Sequence, residues 1–343
     1  MASSPAFDRE LHAHYFLSHL RALPAAYASQ DSQRVVVAFF CVHGLALLGK
    51  LADVDRRRVI EWVYSLQVPT TGGFRGGTYL GPVVGGFASD ASDSGNNIAS
   101  TFAALCILRT LGDDLSRVDK RAIVRSLASL QNPNTGSFSS VAEGSEQDMR
   151  FVYCACAIAY ILDDWSGIDL LAMKRFIHSC LSYDGGIGLD VGAESHGGAA
   201  FTAIASLALC GQLPQLEGDV RSALVRWLVF RQQQRSGFQG RINKRPDSCY
   251  AFWNGATLAL LDQHALVDVA SCQRFIYSCQ CPRSGGLCKY PATQPDVMHS
   301  YLSLAWLSIA AHASADTDAP ESPRLVALDT KLQVPFFPAL PRK

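Results

Sequence analysis

The sequence predicts an all-α fold in which paired helices curve into a closed α–α (α6/α6) barrel. Three observations carry this. A small-residue turn recurs along the chain, an amphipathic helix precedes each turn, and a far more apolar helix follows it. The turns are "TGGFRGG" at 71–77, "TGSFSS" at 135–140, "DGGIGLD" at 184–190, "SGFQGR" at 236–241 and "SGGLCKY" at 284–290. With Gly73, Ser137, Gly186, Gly237 and Gly286 as equivalents, the spacings are 64, 49, 51 and 49 residues. A period of that size marks a repeat architecture.

The helices before the turns read "VDRRRVIEWVYSLQ", "VDKRAIVRSLASLQ", "IDLLAMKRFIHSCL", "DVRSALVRWLVFRQ" and "VDVASCQRFIYSCQ". Apolar residues fall at three- and four-residue steps with Arg and Lys between them, which gives one buried and one wet face. The helices after the turns read "NNIASTFAALCILRTL", "DMRFVYCACAIAYIL", "ESHGGAAFTAIASLAL", "DSCYAFWNGATLALL" and "DVMHSYLSLAWLSIA". Several are apolar almost all round, so most of their faces need cover. "RVVVAFFCVHGLALLGKL" supplies a further inner helix and brings the count to about six pairs. Stacked pairs can form an open superhelix or a closed barrel, and closure is favoured because an open stack leaves an apolar face wet. No strand pattern is present, and the glycine turns read as helix C-caps and tight connections. One barrel domain over 1–312 is expected. A tail over 313–343 follows, ending in "VPFFPALPRK", with two fates open to it, folding back or staying mobile.

Composition narrows the function classes. The chain has 343 residues, 48% of them hydrophobic, and a formal net charge of zero. Neutrality argues against a nucleic-acid partner, whose phosphates select a basic excess. The N-terminus is charged from residue 8 and lacks an apolar stretch, so it does not read as a secretory signal. The uncharged apolar run Phe151 to Leu162 is shorter than the roughly 20 residues a membrane span needs. Eleven cysteines sit mostly inside apolar helical runs, as reduced, buried thiols do. A soluble protein of a reducing compartment, the cytoplasm, is expected.

Four of the later inner helices open on an acid with a loaded neighbour: Asp148 with Arg150, Glu194 with His196, Asp247 with Cys249, Asp296 with His299. Parallel inner helices would bring these starts to one rim. Asp148 reads as a helix N-cap. Asp247, Cys249 and His299 offer a carboxylate, a thiolate and an imidazole, a three-ligand zinc set with the fourth position open. A capping Asp beside a buried Cys explains the local pattern equally simply, and a rival set exists in Cys279, Cys281 and Cys288 of "CQCPRSGGLC". Arg241, Lys244, His196, Tyr250 and Lys289 can form a cradle for a polyanion such as diphosphate. The plain alternative is a solvated basic loop, and that is the reading for Arg245 and Lys174. No Gly-rich phosphate loop and no DDxxD cluster is present; "DDLSRVD" starts an outer helix.

At these residues the chain closely resembles the β subunits of the protein prenyltransferases, within them the type I geranylgeranyl enzymes. The resemblance runs from about Phe16 to His312. It rests on "RVVVAFF", "VIEWVYSLQV", "GFRG..YLG", "LGDDLSRV", "EGSEQDMRFVYCA", "WSGIDL", "ESHGG", "GFQGRINKRPDSCYAFW" and "GG…K…PDVMHSY". It implies an α–α barrel that pairs with a separate α subunit and moves a geranylgeranyl group from its diphosphate to a cysteine thiol. The acceptors implied are C-terminal CaaX motifs, mainly with Leu last, on proteins such as small GTPases of the Rho and Rac type. Asp247, Cys249 and His299 fall on the family's zinc ligands. His196, Arg241, Lys244 and Tyr250 fall on its diphosphate set, and Arg150 on a cavity arginine. His196 and Tyr250 of this set, together with Lys289, are the residues implied to assist the chemistry itself. Farnesyl enzymes are similar but carry a magnesium-linked aspartate where this chain has Lys289, so magnesium independence is implied. Val36 replaces the bulky tryptophan that shortens their lipid pocket, and Trp253, Phe201 and Leu302 are further lipid-contact candidates. Val36 also stands for a threonine of the geranylgeranyl enzymes, Leu302 for an aromatic and Asn97 for a pocket histidine. A farnesyltransferase β subunit is the alternative within the class. A helical-repeat scaffold with a structural metal is the alternative outside it.

Overall fold

A computed structural model describes residues 6–78, 96–142, 145–313 and 325–338. Residues 79–81 of "GFRG..YLG", residues 143–144 and tail residues 314–324 and 339–343 lie outside the described residues. Twelve helices are described, alternately outer and inner. The outer ones are α1 (Arg9–Arg21), α3 (Arg56–Ser65), α5 (Lys120–Leu130), α7 (Leu170–Ser179), α9 (Gly218–Val229) and α11 (Val269–Ser278). The inner ones are α2 (Arg34–Leu47), α4 (Ile98–Thr110), α6 (Met149–Leu162), α8 (Gly197–Leu209), α10 (Cys249–Leu260) and α12 (Val297–Ala313). Each inner helix packs on the next, and α12 packs back on α2, so the inner ring closes. None of the described helices is long and apolar enough to cross a membrane.

Five outer helices are capped alike. Asp8, Asp55, Asp119, Asp169 and Asp268 each accept the backbone N–H three residues on, which satisfies an amide the helix itself leaves bare. Asp119 of "DDLSRVD" thus does start an outer helix. Helix α1 is the outer helix the periodicity hides. Its buried face is His12, Ala13, Tyr15, Phe16 and His19, and two of those five read as polar in sequence.

The repeating turns differ from their sequence reading as helix C-caps. Their glycines lie beyond the outer-helix ends, in short antiparallel connections bridged at Gln67–Phe74, Gln131–Phe138, Leu181–Ile187, Gln232–Phe238 and Gln280–Leu287. The glycines that follow helix ends in the left-handed conformation are Gly49, Gly112 and Gly211, after inner helices. Close approach fixes the turn glycines. A Cβ at Gly136 would lie 2.1 Å from the Ala172 carbonyl of α7, and one at Gly285 2.3 Å from the Leu11 carbonyl of α1. The second contact shows the last turn seated on the first helix, so the outer ring closes as well. Just after the aligned turn positions, Phe74, Phe138, Ile187, Phe238 and Leu287 are all at most 1% exposed. Each contributes about 1.5–3 kcal/mol of burial, and this apolar peg defines the repeat.

Strand pairing is minimal and too short to leave an alternating pattern. Strand β1 (Leu287–Cys288) pairs antiparallel with β2 (Pro295–Asp296), and β3 (Leu328–Asp329) with β4 (Val334–Pro335). Residues 325–338 pack against the inner helices, from the C-terminal end of α2 to residues within α6 and α12. Val326 donates its N–H to Leu47, Ser308 Oγ to Val326, Tyr153 Oη to the Lys331 carbonyl and Tyr301 Oη to that of Gln333.

Candidate metal centre and anion site

Five of the six inner helices start beside a polar side chain that accepts a helix amide, from Asn97, Asp148, His196, Asp247 or Asp296, and these caps face one rim. Helix α2, after Gln33, has no such bond. Asn97 accepts the amides of Ala99 and Ser100, and Asp148 accepts that of Arg150. Asp148 also binds Arg150 Nε at 3.0 Å and Nη2 at 2.5 Å, and Glu146 takes Nη2 at 2.7 Å. Asp148 is therefore the N-cap expected of it, and Arg150 arrives at the rim already paired with two carboxylates.

His196 caps α8 through Nδ1, which accepts from Gly198 N at 3.0 Å. Burial, and then the nearby Arg241 charge, lower its pKa to about 4, so the ring is neutral at pH 7. With Nδ1 accepting, the single ring proton sits on Nε2, 2.8 Å from Tyr250 Oη. Nε2 then donates to Tyr250, whose own proton is left for a ligand. His196 is thus no cation here; it aims a hydroxyl. Arg241 Nη1 lies 3.3 Å from Glu194 Oε2, and Lys244 is exposed beside it. Arg245 stacks over Tyr290 instead, 4.6 Å from the ring centre.

Asp247, Cys249 and His299 converge although they come from two repeats. One donor atom from each lies within 4.8 Å of the others, and all three residues are buried. Among the described residues this is the one group of three or more potential ligands. Cys279, Cys281 and Cys288 form no such group; Cys288 Sγ donates to the Thr293 carbonyl. Asp247 Oδ1 caps Cys249 N at 3.0 Å and lies 3.3 Å from His299 Nε2. Lys289 Nζ stands 3.7 Å from Asp247 Oδ2.

Burial pushes the Cys249 thiol far above its usual range, and Asp247 pushes it further. Burial alone would lower the His299 pKa, but hydrogen bonds to Asp247 and Asp296 overcome that and raise it to about 9. Two carboxylates, Asp247 and Asp296, thus favour a proton on the imidazole, with the Lys289 ammonium alongside Asp247. Sulfur, nitrogen and oxygen donors, one of each, suit zinc with a position to spare. Asp296 is the residue whose role the sequence left unassigned. Its Oδ2 lies 2.6 Å from His299 Nδ1 and its Oδ1 accepts His299 N–H, which turns Nε2 toward Asp247. An acid three residues before a histidine at a helix start is the signal for it.

The lipid-contact candidates separate by burial. Val36 and Trp253 are half-buried, with Trp253 5.3 Å from Phe201 between ring centres. Leu302 and Phe201 are 0% exposed and offer a ligand no surface in this conformation.

Residues 7–334 match the model of the prenyltransferase alpha-alpha toroid domain. The geranylgeranyl transferase type-1 subunit beta of Arabidopsis thaliana is 40% identical over 340 residues, covering 93% of this chain and 90% of that protein. Its counterpart from Dictyostelium discoideum is 42% identical over 323 residues, 88% of this chain and 90% of that one. The structure of Candida albicans protein geranylgeranyltransferase-I complexed with GGPP superposes with a TM-score of 0.84 at 25% identity, over 96% of each chain. A closed ring of six helix pairs, with its polar convergence on the inner-helix N-termini, therefore belongs to the prenyltransferase alpha-alpha toroid family.

Proposed function

We propose that this protein is the catalytic β subunit of a type I protein geranylgeranyltransferase. In this reading it works with an α subunit in the cytoplasm and transfers a geranylgeranyl group from its diphosphate to the cysteine of C-terminal CaaX-Leu motifs. The observation that carries it is the buried Asp247–Cys249–His299 group with the Lys289 cation against it, in a chain whose relatives bear that enzyme's name. The relatives' names also supply the partner, since both are called beta subunits.

An acceptor thiol has a pKa near 8.5, so only a few per cent is thiolate at neutral pH. Zinc, held by Asp247, Cys249 and His299, would supply the Lewis acid that keeps such a thiol deprotonated. Cys249 itself is 5% exposed, which leaves an incoming substrate little access to its sulfur and suits a ligand better than an attacking group. As the C–O bond of the diphosphate breaks, negative charge grows on the leaving oxygen. Lys289 and the freed Tyr250 proton would meet it, in the pre-arranged manner that stabilises transition states. Arg241 and Lys244, at the exposed edge, draw the polyanion in. A fixed ammonium in the Lys289 position takes over what magnesium would otherwise do. Val36 and Trp253 have surface left to border the lipid.

Co-expression with a prenyltransferase α subunit tests the reading. One zinc per heterodimer is expected, with transfer from geranylgeranyl diphosphate to a CaaX-Leu peptide that added magnesium leaves unchanged. Preference for farnesyl diphosphate would move the assignment to the farnesyl branch. A metal-bearing heterodimer that transfers neither lipid would make the protein a scaffold.

A further inference from the structure

We infer that Ser248 is a positioning residue that fixes the gap between the two halves of the donor set and seats Lys289 against them. The inference rests on the reading of Asp247, Cys249 and His299 as metal ligands. Ser248 occupies the N-cap of α10, where a serine hydroxyl ordinarily accepts a helix amide. Here it makes no such bond; Asp247 Oδ1 caps Cys249 instead. The Ser248 hydroxyl is diverted, donating to the Cys288 carbonyl at 2.8 Å, while Ser248 N donates to the Lys289 carbonyl at 3.1 Å. The residue is 0% exposed, so no water substitutes for either bond.

Those two carbonyls place the device. Cys288 ends β1, and Lys289, next in the chain, carries the ammonium that faces Asp247. Strand β1 pairs with β2, which ends in Asp296, and Asp296 orients His299. Asp247 and Cys249 belong to one repeat and His299 to the next. Ser248, lying between the first two ligands, is bonded to the small ladder that carries the third. Without its hydroxyl one of the two ties is lost, and both the donor spacing and the Lys289 position slacken together.

The test uses the heterodimer with the α subunit, and zinc affinity measured by competition with a chromophoric chelator. Ser248→Ala should weaken zinc binding about 10- to 100-fold, the range for residues that orient metal ligands. Ser303→Ala removes another buried hydroxyl, one that has no partner, and should leave zinc affinity unchanged. Inorganic pyrophosphate binding should weaken in Ser248→Ala, with no further loss when Ser248→Ala is added to Lys289→Ala. Unchanged zinc affinity in Ser248→Ala, an equal loss in Ser303→Ala, or losses in pyrophosphate binding that multiply would each overturn the proposal. If Ser248→Ala yields no folded heterodimer, Ser248→Thr keeps the hydroxyl and carries the test. It must bind zinc within about threefold of the parent, and a folded variant tenfold weaker sinks the idea. A parent heterodimer that binds no zinc at all fails the metal-site reading first, and the inference with it.

Discussion

Gly240→Ala adds one methyl group at a residue that is no metal ligand and should nevertheless cripple transfer. The Gly240 carbonyl is held by the Gly197 amide at 2.9 Å, at the very start of α8, so the backbone has no room to retreat. A Cβ at this glycine would lie 2.0 Å from Tyr250 Cζ and 2.4 Å from Cε1 and Cε2. Carbon contacts settle near 3.5–4.0 Å, so the ring must move by roughly 1.5 Å. The 2.8 Å bond between Tyr250 and His196 tolerates a few tenths of an ångström, not that displacement. The fold should lose only about 1–3 kcal/mol, the usual cost of one excess methyl group, because the phenol is half-buried and can swing. Transfer should lose about 10²- to 10³-fold in kcat, as when one preorganised donor to a developing charge is removed. The assay is a four-member cycle of parent, Gly240→Ala, Tyr250→Phe and the double variant, read as kcat and KM with a CaaX-Leu peptide. If the methyl group acts through Tyr250, the double variant is no worse than the poorer single one. Full activity in Gly240→Ala, or losses that multiply, would refute the reasoning.

Cys249→Ala should abolish stoichiometric zinc and peptide turnover while geranylgeranyl diphosphate still binds, as checked by metal analysis and equilibrium binding; normal turnover without zinc would exclude the metal role. Lys289→Asp should lower activity without magnesium and restore part of it as magnesium is added, and a flat magnesium titration contradicts the charge-replacement argument. His43 is buried and hydrogen-bonded to the Phe39 carbonyl and Thr110 Oγ1; burial lowers its pKa to about 4 against 6.5 in an unfolded chain. The unfolded state therefore binds the extra proton between those values, so stability is complete above about pH 6.5 and is lost as the pH falls toward 4. Between pH 7 and 4.5 this one group should account for roughly 2 kcal/mol of the decline. Denaturant melts of His43→Asn should show a decline smaller by that amount, and an unchanged pH slope would acquit His43.

The repeat carried most of the architecture. An outer helix needs one dry stripe and an inner one needs cover all round, and that contrast is visible in composition alone. It also brought Asp247 and Cys249 to His299, because a period near fifty puts consecutive helix starts on one rim. Helix α1 escaped because His12 and His19, polar in any sequence reading, are among the residues it buries. The lipid side was less legible for a different reason. A helix that is apolar on every face has no phase, so nothing in the residues says that Val36 keeps some exposure while Leu302 keeps none. The tautomer of His196 was out of reach too. It depends on which nitrogen the start of α8 claims, a fact of backbone geometry and not of residue type.

Ring closure has a consequence for how such a chain can change over time. An open stack of helix pairs can lengthen or shorten by whole units, because only its two end units must present a polar outer face. This chain has no ends of that kind. Its final inner helix lies on its first, and its final turn on α1. A seventh pair would have to pry that seam apart, and a ring of five pairs would leave it gaping. Novelty in such a molecule is therefore confined to connections and to rim residues, with the number of units held constant by geometry.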